Sequence, residues 1–219
     1  MGTAVKLFIA WAAAYLLGSL PPGILWAKVL KHIDVRQHGS GRTGGTNVWR
    51  TSGSLAALLT AICDGFKGAA GIWIAKALGL SPWAVALTGA LGIVGHNYSL
   101  YLGFTGGAGT ITSLGIASAM WGGNLPLLLI PAIAVVGLVG HASVASILIA
   151  LSLPGLSYWH GGWPYALGFG LPTMLLTLWA LRPNIKRLSK REERFLPIFY
   201  EKPPLIQISK HTPQKRESE

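Results

Sequence analysis

The sequence predicts an all-α integral membrane protein of about seven transmembrane helices, with the N-terminus outside and the C-terminus cytoplasmic. Three observations carry this. Residues 77–181, 105 in a row, contain no Asp, Glu, Lys or Arg, whereas about a quarter of an average soluble domain is charged. The apolar runs are long and unbroken, and they lack the ~10-residue alternation of membrane β-strands, so each crossing is expected to be a helix. The basic residues are clustered: of 18 Lys and Arg, ten lie from Arg182 onward and five between Lys28 and Arg50. Basic loops beside helix ends mark the cytoplasmic side. That distribution also argues against nucleic acid as the partner behind the net charge of +11.

Taken in order, the first helix spans 7–27, between Lys6 and Lys28. It is too long for a signal-peptide core and shows no convincing cleavage site, so it is read as a retained span. Pro21 and Pro22 should kink or shorten its end. A basic, Gly-rich loop covers 28–53. Helix two, 54–78, carries Asp64, Lys67 and Lys76. Pro82 opens helix three, 82–102, and a second Gly-rich segment follows at 103–109. Helix four covers 110–121, a Gly122-Gly123-Asn124 turn leads to helix five at 125–139, and helix six runs from near Ser143 to a stop before Pro154. The Trp159-His160-Gly161-Gly162-Trp163 loop has aromatics suited to a membrane interface, and helix seven spans 164–181. Residues 1–195 are expected to form one polytopic domain, with 196–219 a polar, disordered cytoplasmic tail. Seven crossings put both Gly-rich segments and the turn at His141 on one face; five crossings with re-entrant segments is the alternative.

Two polar segments bear the chemistry. The first is Gly39-Ser40-Gly41-Arg42-Thr43-Gly44-Gly45-Thr46-Asn47-Val48-Trp49-Arg50. Its glycines can turn backbone N–H groups toward one point and so bind an anion. Ser40, Thr46 and Asn47 add neutral donors, and Arg50 can grip a phosphate through two parallel bonds. A flexible loop whose arginines merely follow the positive-inside rule explains the same composition, and the residues alone leave both readings open. The second is Gly95-His96 with Phe104-Thr105-Gly106-Gly107-Ala108-Gly109-Thr110. It precedes a helix whose first N–H groups are unpaired, yet small residues also serve helix packing. Asp64 and Lys67 share a helix face and can pair, as structure or as substrate contact. Cys63 is the only cysteine, and no basic group is poised to activate it. His141 and Ser143 have the types of a base and nucleophile, with no carboxylate evident to orient them.

These blocks together resemble the membrane-bound acyl-phosphate:glycerol-3-phosphate acyltransferases of bacteria. The family's Gly-Ser-Gly-Asn-x-Gly-Ala-Thr-Asn-x-x-Arg is matched at Gly39, Ser40, Gly41, Gly44, Thr46, Asn47 and Arg50. Its Asp-x-x-Lys-Gly appears as Asp64, Lys67 and Gly68. Its Gly-His and Phe-Lys-Gly-Gly-Lys-Gly-x-x-Thr-x-Leu-Gly are echoed by Gly95, His96, Phe104, Gly106, Gly107, Gly109, Thr112, Leu114 and Gly115. A Ser-Leu-Ala-Ser-Ile stretch stands as Ser143-Val144-Ala145-Ser146-Ile147. The closing Arg-x-Asn-Ile-x-Arg-Leu is present as Arg182, Asn184, Ile185, Arg187 and Leu188.

The resemblance implies an enzyme of phospholipid synthesis in the bacterial cytoplasmic (inner) membrane. It would move a fatty acyl group from acyl-phosphate to the sn-1 hydroxyl of glycerol 3-phosphate, giving lysophosphatidic acid and phosphate. Its partners are those two substrates and membrane lipids. No cofactor or metal is expected, because an acyl-phosphate is already activated. Ser40, Arg50 and Asn184 are the expected catalytic residues. Gly41, Thr46, Asn47, Lys67, His96, Gly106, Gly107, Gly109, Ser143 and Arg182 are the expected substrate contacts. Four departures from the family pattern stand out. Both lysines of the Gly-rich motif are absent, as Thr105 and Ala108; Arg42 replaces an Asn; and Leu181 replaces the His before the final arginine block. In the family the second lysine and that histidine belong to the phosphate site. An altered acceptor, or a non-catalytic protein that binds anionic lipid headgroups, are the alternatives.

Overall fold

The computed structural model describes residues 1–122, 125–200, 205–206 and 208, and every regular element among them is helical. Gly123 and Asn124 of the expected turn, and most of the 196–219 tail, lie outside the described residues. Three helical stretches are long and apolar enough to cross a membrane: Thr3–Lys31, Ser54–Ala77 and Ala142–Ser189. Leu129–Val139 is a shorter apolar helix. Phe8, Phe66, Trp73 and Leu175 are more than half exposed on the outside of the bundle, a surface suited to hydrocarbon rather than water.

The first expected helix is two pieces, α1 (Thr3–Ser19) and α2 (Pro22–Lys31). Pro21 and Pro22 lack N–H groups and cannot continue the ladder. At this break the Ile24 N–H donates to the Pro21 carbonyl at 3.2 Å rather than to Leu20, and the Leu20 carbonyl accepts from Lys67 Nζ at 2.7 Å. The basic loop holds a helix the sequence pattern did not reveal, α3 (Gly45–Ser52). Its buried Val48 joins Ile24, Ala27, Val35, Ala56 and Ala57 in a small apolar cluster, so tertiary packing stabilises a segment too short to be helical alone. Next come α4 (Ser54–Ala77) and α5 (Pro82–Asn97). The latter ends short of Leu102: Tyr98 leaves the helical region, and a turn at Leu100–Leu102 follows. The helices α6 (Thr110–Trp121) and α7 (Leu125–Val139) match the expected bounds.

The largest difference lies in α8 (Ala142–Tyr165), which runs through Pro154 and breaks only at Gly162, with φ 69° and ψ −160°. Proline removes one ladder bond, and a helix among apolar neighbours has no better place for the others. A π-helical turn, Ala166–Gly170, leads into α9 (Leu171–Ser189), which extends past Leu181 through the arginine block. The core forms where α1 packs on α4 and α5, and α6 on α4. Glycine makes these crossings close: a Cβ on Gly18 would overlap the carbonyl oxygen of Gly92, and one on Gly115 that of Gly65. Small residues at helix contacts bring backbones within dispersion range.

Candidate active site

The loop before α3 is organised from within by Asn47. Its side chain is 2% exposed; Nδ2 donates to the carbonyls of Val35, His38 and Arg42 at 2.9–3.1 Å. Its Oδ1 accepts from the Ser40 N–H at 2.8 Å. The N–H groups of Asn47 are thus engaged by the loop's own carbonyls, which corrects the expectation that they are offered to a phosphate. Gly39 and Gly41 supply the positive φ values, 61° and 71°, that the turns require. The result holds Ser40, Thr46 and Arg50 along one side of a cavity of about 600 Å³.

The second Gly-rich segment wraps around His96. A Cβ on Gly107 would overlap His96 Nε2, and the Gly107 N–H donates to the His96 carbonyl at 3.2 Å. His96 Nδ1 lies 3.0 Å from Thr112 Oγ1 and 3.4 Å from Asp64 Oδ1. Asp64 in turn pairs with Lys67 at 2.8 Å. This chain of contacts ties α4, α5 and α6 beneath the cavity. His96, Gly107, Gly109 and Thr110 line it, and Thr110 Oγ1 is buried with no hydrogen-bond partner among the described residues.

The third wall contains a residue the sequence reading missed. Glu193 is 1% exposed. Its Oε1 accepts from Ser143 Oγ at 3.1 Å and from Asn184 Nδ2 at 2.8 Å, while Oε2 accepts from Arg187 Nε at 2.8 Å. The expectation that no carboxylate orients Ser143 is therefore corrected. The only sequence signal was the pair Glu192-Glu193 inside the otherwise basic stretch from Arg182 to Arg194. Beyond Glu193 the chain forms a strap. Arg50 donates to the carbonyls of Arg194 and Phe195 at 3.1 and 3.3 Å. His141 donates through Nδ1 to the Arg194 carbonyl at 3.1 Å and stacks on Phe195 with centroids 4.4 Å apart. Leu196 N–H donates to the Gly140 carbonyl at 2.9 Å. Leu196 and Ile198 line the cavity, so the folded body continues past residue 195, the boundary expected for the domain.

Nine of the thirteen expected site residues line this single cavity: Ser40, Thr46, Asn47, Arg50, His96, Gly107, Gly109, Ser143 and Asn184. Gly41, Lys67, Gly106 and Arg182 do not. Lys67 is committed to Asp64 and to the Leu20 carbonyl, Gly106 lies against the His96 carbonyl, and Arg182 stacks over Trp179 at 4.3 Å. Of the departures from the family pattern, Arg42, Ala108 and Leu181 face the cavity and Thr105 does not. Burial pulls the Arg42 and Arg50 guanidinium pKa values below the usual arginine range, but arginine stays charged at neutral pH even so. Much of the remaining lining is apolar: Leu58 and Ala61 of α4, Ile111 and Leu114 of α6, Ile133 and Val136 of α7, and Ile149 of α8, with Ser54, Asp64, Ser146 and Glu193 among them. The cavity therefore combines two guanidiniums and several hydroxyls with a large apolar lining, a composition suited to an amphiphile with an anionic head.

A family model described as glycerol-3-phosphate acyltransferase matches residues 8–191. A glycerol-3-phosphate acyltransferase of Desulforudis audaxviator is 39% identical over 207 residues, covering 88% of this chain and 98% of the relative. One from a Synechococcus species is 39% identical over 178 residues, covering 81% and 88%. The fold is similar to the crystal structure of PlsY (YgiH), an integral membrane glycerol 3-phosphate acyltransferase, in its glycerol 3-phosphate form. The TM-score is 0.80 at 30% identity, over 87% of this chain and 95% of that one. The lysophosphatidic acid form of the same enzyme gives a TM-score of 0.79 at 28% identity, over 92% and 97%. With sequence and fold in agreement along most of its length, this chain belongs to the glycerol-3-phosphate acyltransferase family.

Proposed function

We propose that this chain transfers a fatty acyl group from acyl-phosphate to the sn-1 hydroxyl of glycerol 3-phosphate, in a bacterial inner membrane that it crosses seven times. The supporting observation is the cavity itself, where Arg50, Arg42, Ser40, Thr110, Ser143 and Asn184 share one lining with apolar side chains of α4, α6, α7 and α8. The acyl chain lies against the apolar side chains, and the reactive acyl-phosphate against the polar groups. The glycerol hydroxyl attacks the acyl carbon; the bond from that carbon to the phosphate oxygen breaks, and phosphate departs with the electron pair. A phosphate oxygen of the substrates accepts the hydroxyl proton. The protein's contribution is to hold two anions together in one orientation and to stabilise charge as it moves onto the leaving phosphate.

Ser40, Arg50 and Asn184 act at the reacting groups in this reading, with Thr46, His96, Gly107, Gly109 and Ser143 shaping or contacting the bound phosphates. Glu193 positions Ser143 and Asn184 through the bonds described above. The basic clusters at 28–50 and after Arg182 favour a cytoplasmic cavity, C-terminus inside and N-terminus outside. The test is direct: purified protein given palmitoyl-phosphate and glycerol 3-phosphate should release phosphate and form lysophosphatidic acid. Folded protein without that activity would overturn the proposal.

A further inference from the structure

Four carboxylates or cations at the cavity decide its charge: Asp64, Glu193, Arg42 and Arg50. Asp64 is offset by Lys67 at 2.8 Å, and Glu193 by Arg187 at 2.8 Å. Exposed Arg36, outside the cavity, is likewise matched by Asp34 at 2.7 Å. Arg42 and Arg50 differ: among the described residues neither has a carboxylate within ion-pair distance, and each is anchored only to backbone carbonyls. Arg42 donates through Nη2 to the Ala180 carbonyl of α9, while Arg50 holds the strap at Arg194 and Phe195. Arg42 is also crowded by like charge from Arg187 and Arg182, which Glu193 offsets only in part. A half-buried guanidinium in such a setting is stabilised when an anion enters.

The two cations sit on different walls. Arg50 belongs with the strap, whose next residues Leu196 and Ile198 line the cavity together with Leu58 of α4. Arg42 belongs with α9 through its bond to Ala180, and Leu181 and Asn184 of that helix line the cavity; among the described residues no lysine lines it, and its histidine, His96, comes from α5. We propose that Arg42 is a substrate-binding residue for the acceptor, holding the phosphate of glycerol 3-phosphate against the α9 wall, while Arg50 serves the phosphate of the acyl donor. This rests on the acyltransfer reading above and adds to it a residue that the family motif does not supply. The guanidinium reaches the site from the first loop and provides there the positive charge that Ala108 and Leu181 lack.

The experiment is steady-state kinetics on the full chain in lipid or detergent, paired with calorimetric binding of glycerol 3-phosphate without donor. Loss of one charge-assisted contact predicts about a tenfold or larger rise in both KM and Kd for glycerol 3-phosphate in Arg42→Gln. The KM for palmitoyl-phosphate should stay within about twofold, since Arg42 does not contact the donor in this scheme. Arg42→Lys should recover part of the acceptor affinity. The proposal is overturned if acceptor KM and Kd are unchanged, or if the donor KM rises instead. It is also overturned if Arg42→Gln and Arg42→Lys lose affinity equally and melt lower, since the bond to Ala180 would then be the residue's whole role. Wild-type protein that binds glycerol 3-phosphate through Arg42 but transfers no acyl group would sink the acyltransfer reading and uphold this one. Wild-type protein that does not bind glycerol 3-phosphate would sink this one.

Discussion

The molecule keeps two sets of buried charge, and they are built on opposite plans. Within the helices, Asp64 and Lys67 neutralise each other at 2.8 Å, with side chains only 4% and 7% exposed, and the lysine also takes the carbonyl freed at the α1–α2 break. At the cavity, Arg42 and Arg50 meet only carbonyl oxygens among the described residues. A closed pair joins helices where hydrocarbon offers no solvation; a cation left with neutral partners is ready to receive an anion. Charges closed into pairs, Asp64 with Lys67 and Glu193 with Arg187, hold the framework even where they border the cavity, whereas Arg42 and Arg50, held by neutral carbonyls, are left to meet an anion.

That contrast can be broken in graded ways. The largest effect is expected from Lys67→Met, which strands the Asp64 carboxylate; removing one partner of a buried pair costs ~3–5 kcal/mol. A sharp loss of melting temperature and yield should follow, and Asp64→Asn added to it should restore much of both. If Lys67→Met instead folds normally and loses only substrate affinity, the closed pair is not structural. Arg50→Ala comes next. Taking a charge-assisted pair of bonds from the reacting phosphate should lower kcat/KM by about 100-fold, with the melting temperature falling much less than in the first variant. Equal losses of fold and activity would erase the distinction between the two regions.

A smaller effect is expected from Glu193→Gln, which keeps the shape but weakens the bonds from Ser143, Asn184 and Arg187. Activity should fall by about tenfold through misplacement of those donors, mainly in kcat; unchanged turnover would show that they do not need the carboxylate. The smallest is a pH effect on the strap. Burial lowers the His141 pKa, and its Nε2 lacks a hydrogen-bond partner among the described residues. The folded state therefore holds the neutral ring, and the unfolded strap takes up the proton first as pH falls. Strap stability from this source is complete above the ordinary value of about 6.5 and declines below it. Hydrogen exchange at the Leu196 amide, corrected for its intrinsic pH dependence, should lose protection below about pH 6.5; His141→Gln should remove that dependence.

Much of the helix pattern was legible because its signals are local. Pro82 opens α5, Gly122 closes α6, and the expected spans at 110–121 and 125–139 match the observed helices. The second glycine segment was legible as well, since nothing larger than glycine fits at Gly106 and Gly107 beside His96. The misreadings occurred where a distant neighbour overrides a local preference. Pro154 reads as a stop, yet the surrounding bundle carries α8 through it. Gly45 to Ser52 reads as loop, yet Val48 finds an apolar cluster that makes it helical. Asn47 reads as a ligand donor, and the loop's own carbonyls take its amide.

By itself the sequence determined that this chain is a bundle of apolar helices with glycine-rich polar blocks at their ends, because hydropathy and glycine spacing are properties of neighbouring residues. Only the tertiary structure decided which of those blocks share a cavity and which cations there stay unbalanced. Ser40, Ser143 and Asn184 are brought together across more than a hundred residues, and Glu193 acquires its role from three donors that no spacing rule connects. Electrostatic balance depends on distance in space, and that is set by how the helices pack rather than by the order of residues along the chain.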